Sequence, residues 1–227
     1  MNVHGAWRSL ARTALVFGCL TCGSELAGAA TVNDGPGGFI PSFTGTQSPD
    51  IDILSASLNL SGTNLLFSAT LNGTIGTAAN TYVLGINRGL STRNFSAVGL
   101  SGVTFDSVLT VTGAGVLGGT DFVTATGISA PFQISGSNIT AVIPLSILPV
   151  VGSFTSADQF LWNFWTRGSV GGVAVALNPG LADFAPDNSD ATVTPLPAAL
   201  PLFASGGGLL GFLGWRRKRK NAAVIAA

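Results

Sequence analysis

The stretch Leu54-Ser55-Ala56-Ser57-Leu58-Asn59-Leu60, followed after a short break by Leu65-Leu66-Phe67-Ser68-Ala69-Thr70-Leu71, decides the fold. Leu54, Ala56, Leu58 and Leu60 recur at every second position, as do Leu65, Phe67, Ala69 and Leu71. A period of two places each set on one face of a β-strand, giving an apolar ridge for a core and a Ser/Thr-rich face for water. Working outward, strand-like runs recur at Ile51 to Leu60, Asn64 to Leu71, Tyr82 to Asn87, Val103 to Thr112, Phe122 to Thr126, Phe132 to Ser135, Ile139 to Pro144, Phe160 to Thr166 and Gly172 to Leu177. Short runs at this spacing, separated by Gly, Ser, Thr and Asn, predict an all-β chain folded as a single antiparallel β-sandwich. Asn72-Gly73 reads as a hairpin turn, because both residues tolerate positive φ. The Gly-rich stretches Ala114 to Gly119 and Gly168 to Gly172 read as turns, with no following Lys to make a phosphate loop. Within residues 31–193, a single turn at Leu145 to Val150 is the one helical expectation.

Charge separates the chain into three parts. Arg8 and Arg12 lie at the start, Arg88, Arg93 and Arg167 in the middle, and Arg216, Arg217, Lys218, Arg219 and Lys220 near the end. The middle part, residues 31 to 193, holds three arginines and nine aspartates, a net of minus six, which argues against nucleic-acid binding. Cys19, Cys22 and His4 all fall near the start, so the middle has no Cys, His, Lys or Glu. A Ser-His-Asp triad, a cysteine nucleophile, a lysine Schiff base and a Cys/His zinc site are therefore excluded there. Asp106, Asp121 and Asp158 lie on separate runs that nothing pairs for glycoside hydrolysis, so the expectation is a protein that is not an enzyme.

Both ends read as targeting sequence. Residues 1–30 have the parts of a secretory signal peptide: the basic Arg8 and Arg12, the apolar stretch Ala14 to Cys22, and the small residues Ala27, Gly28, Ala29 and Ala30 before a cut after Ala29 or Ala30. That leader implies the secretion translocon as a partner. Residues 198–215 are uncharged and apolar, and as a helix would span about 27 Å, enough for a bilayer core. The cluster Arg216, Arg217, Lys218, Arg219 and Lys220 follows as a membrane stop signal, which by the positive-inside rule leaves the body outside and residues 221–227 as a cytoplasmic tail.

The order of features in the last stretch is specific: Pro195-Leu196-Pro197-Ala198, then Ala199, Leu202-Phe203, Ser205-Gly206, a Gly/Leu-rich span and the basic run. This arrangement closely resembles the PEP-CTERM sorting domain, in the subclass whose motif reads Val-Pro-Leu-Pro-Ala, with Thr194 where the subclass has Val. The resemblance covers residues 194–220. It implies recognition and processing at Pro195, Leu196, Pro197 and Ala198 by an exosortase of a Gram-negative bacterium that makes extracellular polysaccharide. It also implies a transient inner-membrane anchor and then a place on the cell surface or in the extracellular matrix. The two prolines favour extended backbone, so Thr194 to Pro197 is expected as an accessible strand-like segment. The body, through Tyr82-Val83-Leu84-Gly85, Phe105-Asp106, Trp162-Asn163 and Asp183-Phe184, resembles jelly-roll secreted modules of the carbohydrate-binding or DOMON-like kind, and no binding residue carries over from that likeness.

Two constellations in the body carry chemistry. Phe160-Leu161-Trp162-Asn163-Phe164-Trp165 alternates as a strand, with one face for the core and the other offering Trp165 as a platform for a sugar ring. Asp183, Asp187 and Asp190 gather oxygen donors of the kind that suits Ca²⁺, with Asp34, Asp50 and Asp52 able to join only if the fold brings the two ends of the body together. Acidic turn residues and core packing are the plain alternatives. The function expected is a structural or adhesive surface protein linked to exopolysaccharide or biofilm, with a carbohydrate-binding module of the cell surface as the alternative.

Overall fold

The structure, a computed structural model, describes residues 31–76, 80–170, 173–174 and 180–196. The expected signal peptide, the apolar segment 198–215 and the basic run 216–220 lie outside these residues. Within them the chain is all-β, with its strands in chain order β1 (Thr31–Asn33), β2 (Ile53–Ser61), β3 (Asn64–Leu71), β4 (Thr81–Asn87), β5 (Arg93–Phe95), β6 (Leu100–Phe105), β7 (Ser107–Thr112), β8 (Gly115–Asp121) and β9 (Thr126–Ile128). There follow β10 (Phe132–Ser135), β11 (Asn138–Pro144), β12 (Leu161–Arg167), β13 (Ser169–Val170), β14 (Val173–Ala174), β15 (Leu181–Ala185), β16 (Ala191–Thr192) and β17 (Thr194–Pro195). The turn expected at Leu145 is a short 3-10 segment, Leu145–Ile147.

Two sheets face each other. The first runs β1-β2-β3-β11-β10, and the second β15-β12-β4-β7-β8-β9 with β16 beside β12. Pairing is antiparallel except for β17, which lies parallel to β2 on the edge that β1 also uses. Between the sheets, Leu58, Leu65, Ile139 and Ile143 from one side meet Leu84, Ile86, Leu109 and Trp162 from the other, all essentially inaccessible to water. The rings of Phe67 on β3 and Phe164 on β12 tie the layers, with centroids 5.1 Å apart. Burying such side chains contributes about 1.5–3 kcal/mol each, the main source of the fold's stability.

The alternation on β3 holds: Leu65, Phe67, Ala69 and Leu71 are all buried. On β2 the pattern is shifted at its start, because a bulge between Ile53 and Ser55 puts Ile53, not Leu54, into the core ahead of Ala56 and Leu58. Asn72-Gly73 is not a hairpin. β3 pairs with β2 and β11, while the chain beyond Asn72 crosses to the second sheet, and Asn72 is held by its backbone N–H on the Asp52 carbonyl at 2.8 Å. The tight turn joining β2 to β3 instead uses Gly62, at a φ of +58° that suits glycine.

Other expectations are corrected between β6 and β9. The run Val103 to Thr112 is broken into β6 and β7 at Asp106, and the Gly-rich stretch from Ala114 to Gly119 is largely strand rather than turn, as part of β8. A Cβ on Gly119 would stand 2.1 Å from the Val108 carbonyl oxygen, so glycine lets β8 approach β7 closely. The expected strand-like run Phe122 to Thr126 is corrected too: Phe122 to Ala125 form the turn into β9.

Outside the second sheet lies a further layer. The arm formed by β5 and β6 folds over its outer face and buries Phe95 and Phe105 against Trp165 and Phe184. Thus β12 is buried on both faces: Trp162, Phe164 and Thr166 toward the first sheet, Trp165 toward the arm, and Asn163 beside it against the segment after β15. At the end of β4, Arg88 is completely buried between two carboxylates, its Nε 2.8 Å from Asp106 Oδ1 and its Nη2 2.6 Å from Asp121 Oδ1. Its Nη1 donates to the Pro149 carbonyl at 3.2 Å. One cation thereby fastens the ends of β4, β6 and β8 to the loop after β11.

Candidate functional site

The fold brings the two ends of the body together, and with them three carboxylates. Asp34 follows β1 and hangs on β2 through its N–H to the Leu54 carbonyl at 2.9 Å. Asp183 sits within β15, fully buried, where its Oδ2 accepts the Ile53 N–H at 2.6 Å and its Oδ1 the Phe184 N–H at 2.8 Å. Asp187, just past β15, is exposed. One oxygen from each of Asp34, Asp183 and Asp187 lies within 4.8 Å of the others. Asp52 stands behind them, its carboxylate accepting from the Gly37 N–H at 2.9 Å and from Asn72 Nδ2 at 2.9 Å.

Electrostatics follow from that crowding. Burial pushes the Asp183 carboxyl up to about 7, and the charges of Asp34 and Asp52 add to the rise against the N–H groups of Ile53 and Phe184. Burial likewise raises Asp34, with repulsion from Asp187 and Asp52 reinforcing it and the Gly35 N–H opposing it. Oδ2 of Asp34 is buried without a hydrogen-bond partner. A Cβ on Gly38 would lie 3.0 Å from that atom, so the glycine lets the backbone close over the cluster. Oxygens so placed can share a proton near neutrality or hold an oxygen-liganded divalent cation such as Ca²⁺.

Of the aspartates expected here, Asp183 and Asp187 meet and Asp190 does not. Asp190 accepts from Thr104 Oγ1 at 2.6 Å and from the Thr104 N–H at 3.0 Å, which fixes the end segment to β6, and Asp34 takes its place in the cluster. Asp50 is likewise elsewhere, accepting from Asn80 Nδ2 at 2.9 Å and bonded to Ser48.

Trp165 is also corrected. It is fully buried, stacked on Phe184 with ring centroids 6.0 Å apart and met edge-on by Phe95 at 5.1 Å. Its ring offers no face to a sugar, because the arm of β5 and β6 covers the side of β12 that alternation alone leaves free. Beside it, between the arm and the sheet, opens a cleft of about 620 Å³. Phe95, Val98, Phe105, Val108, Phe122 and Leu181 form its apolar walls, and Arg93, Asn94 and Arg167 its polar groups. Burial pulls the Arg167 guanidinium below its ordinary range.

The structure describes the first residues of the stretch that the sequence reading expects to carry a sorting signal. Thr194 and Pro195 form β17, in register with Asn59 and Leu60, and the Leu196 N–H donates to the Leu60 carbonyl at 2.8 Å. Pro195 is exposed and Leu196 half-buried. Pro197, Ala198 and the basic residues Arg216, Arg217, Lys218, Arg219 and Lys220 lie outside the described residues.

Sequence reasoning missed the Arg88, Asp106 and Asp121 triad, since sequence distance gives no sign that Arg88 joins the two carboxylates. Burial acts to raise Asp121, but the Val123 and Thr124 hydrogen bonds and Arg88 outweigh it and hold that carboxyl below its ordinary value. No protein family and no curated protein matches the chain.

Proposed function

We propose that this chain is an exported surface or extracellular-matrix protein, carried through the secretion translocon, sorted and processed by an exosortase, whose jelly-roll-like sandwich has a structural or adhesive role linked to exopolysaccharide. The observation that carries the reading is the ordered series Pro195-Leu196-Pro197-Ala198, apolar span 198–215 and basic run Arg216 to Lys220. Its place next to the body supports it. The motif begins in extended backbone at the surface, with Pro195 exposed at the edge of a sheet, and a transpeptidase acts on extended backbone. The body's chemistry is in keeping with a non-catalytic role: Asp106 and Asp121 are both engaged by Arg88, and the middle part has no Cys, His, Lys or Glu.

The test is the mass of the protein recovered from its native cells. Loss of the peptide containing Arg216 to Lys220 is expected, and its retention in the mature surface form would refute processing. The alternative, a carbohydrate-binding module, can no longer use Trp165 as its platform. Retardation of the protein in a gel containing the producer's own exopolysaccharide would favour that alternative, and unchanged mobility the structural role.

A further inference from the structure

The outer cleft is accounted for neither by the acidic cluster nor by the sorting motif. Its volume of about 620 Å³ falls within the range of small-molecule sites, which are typically apolar with a few convergent polar groups. The distribution of charge within it is unusual for this protein. Residues 31 to 193 contain three arginines against nine aspartates. Arg88 is engaged by Asp106 and Asp121, and the other two arginines, Arg93 and Arg167, both line the cleft. Among the described residues neither forms an ion pair.

Both guanidinium groups rest on aromatic rings instead. Arg93 Cζ lies 5.1 Å from the centre of Phe122, and Arg167 Cζ 6.0 Å from that of Trp165. Cation–π contact steadies such groups but accepts none of their N–H bonds. Arg167 Nε is buried with no hydrogen-bond partner. A buried donor left unpaired is costly, more so on a charged group, and an anion in the cleft that Arg167 lines would offset that cost through the guanidinium's charge. The planar guanidinium fork matches a carboxylate. Asn94 is the one uncharged polar side chain in the lining, so the walls suit an apolar body and leave a hydroxyl-rich one unpaired.

We propose that this cleft binds an organic monocarboxylate with a flat apolar body, the carboxylate held by Arg167 and Arg93 and the body packed among Phe95, Phe105 and Phe122. The site is independent of how the protein is sorted.

The test uses the full chain in lipid nanodiscs, so that no free detergent competes for the cleft, with empty nanodiscs as the blank. 2-Naphthoate is titrated by calorimetry beside its neutral amide, and a glucuronate trisaccharide is run as the acidic-sugar arm. Saturable binding of 2-naphthoate at or below about 1 mM is expected, with the amide and the trisaccharide each at least ~10-fold weaker. Arg167→Gln should weaken 2-naphthoate at least ~10-fold and Arg167→Lys less than that, since the charge survives and the fork does not. Near-UV circular dichroism verifies folding, and if Arg167→Gln fails to fold, Ala97→Trp, placed to fill the cleft from the arm, decides in its place by abolishing binding. Equal affinity for acid and amide, tighter binding of the trisaccharide, unchanged affinity in the folded variants, or no binding up to ~10 mM would each overturn the proposal.

Discussion

Gly85 on β4 and Trp165 on β12 share one space: a Cβ added to Gly85 would lie 2.4 Å from Cζ3 of the indole. The glycine is the floor on which the buried tryptophan lies, with Phe105 and Phe184 beside the ring. Gly85 lies on a strand held on both sides by β7 and β12, so Gly85→Ala must displace the largest side chain of the outer layer. The expected loss is about 1–3 kcal/mol for overpacking, against about 3–5 kcal/mol for Trp165→Ala, which leaves a cavity. Urea unfolding followed by circular dichroism measures both. A Gly85→Ala protein as stable as the parent would show that Trp165 has room to move.

Arg88 meets Asp106 and Asp121 with no access to water on the guanidinium. Removing one partner leaves a buried charge uncompensated. Arg88→Met should cost about 3–5 kcal/mol, with two carboxylates then facing each other, and Asp121→Asn should cost less because Arg88 keeps Asp106. Thermal melts of the two variants order the effects, and the reverse order would contradict this account.

Stability should fall as pH rises through the acidic to neutral range. The Asp183 carboxyl is raised from 3.8 to about 7 in the folded chain, so between those values the folded state holds a proton that the unfolded state has released. The favourable contribution is complete below about pH 4 and is lost as pH climbs through about 7, a change of roughly 2–4 kcal/mol. Asp34, also raised, acts in the same direction. Asp34→Asn removes one repelling charge and should flatten the profile, as urea midpoints taken from pH 4 to pH 8 would reveal.

Above pH 7 the same three carboxylates repel one another, and a divalent cation relieves that repulsion. Millimolar Ca²⁺ at pH 7.5 is expected to raise the melting temperature, EDTA to reverse the gain, and Asp187→Asn to reduce it. A calorimetric titration without heat and a melting temperature unmoved by Ca²⁺ would leave proton sharing as the cluster's whole chemistry.

The strands were legible where one face alone was buried. β3 kept its period because Ser68 is exposed while Phe67 and Ala69 are not. On β12 the alternation was visible and its meaning was not, since both faces are covered and the covering arm comes from residues far away in sequence. Local chemistry misled at Asn72-Gly73, where the two residues tolerate a tight turn but Asn72 is held by Asp52 instead. The Asp183 and Asp187 pair was legible as near neighbours in sequence, although Asp183 lies in β15 and not in a loop. Asp34 entered only through strand pairing of β1 with β2, and Asp190 left because Thr104 offered it two donors. Arg167 followed an aromatic run and drew no attention, because nothing in sequence shows which cations lack a partner.

The parallel seam of β17 on β2 also has a mechanical side. Tension drawn along the chain from Leu196 reaches the Leu60 carbonyl first and then the Thr194 and Pro195 pairing, so a tug on the tail is borne by a lengthwise grip on an interior-facing strand instead of by a loose tether. A body fastened in this way to whatever holds its far end would pass load straight into the sheet that β2 belongs to.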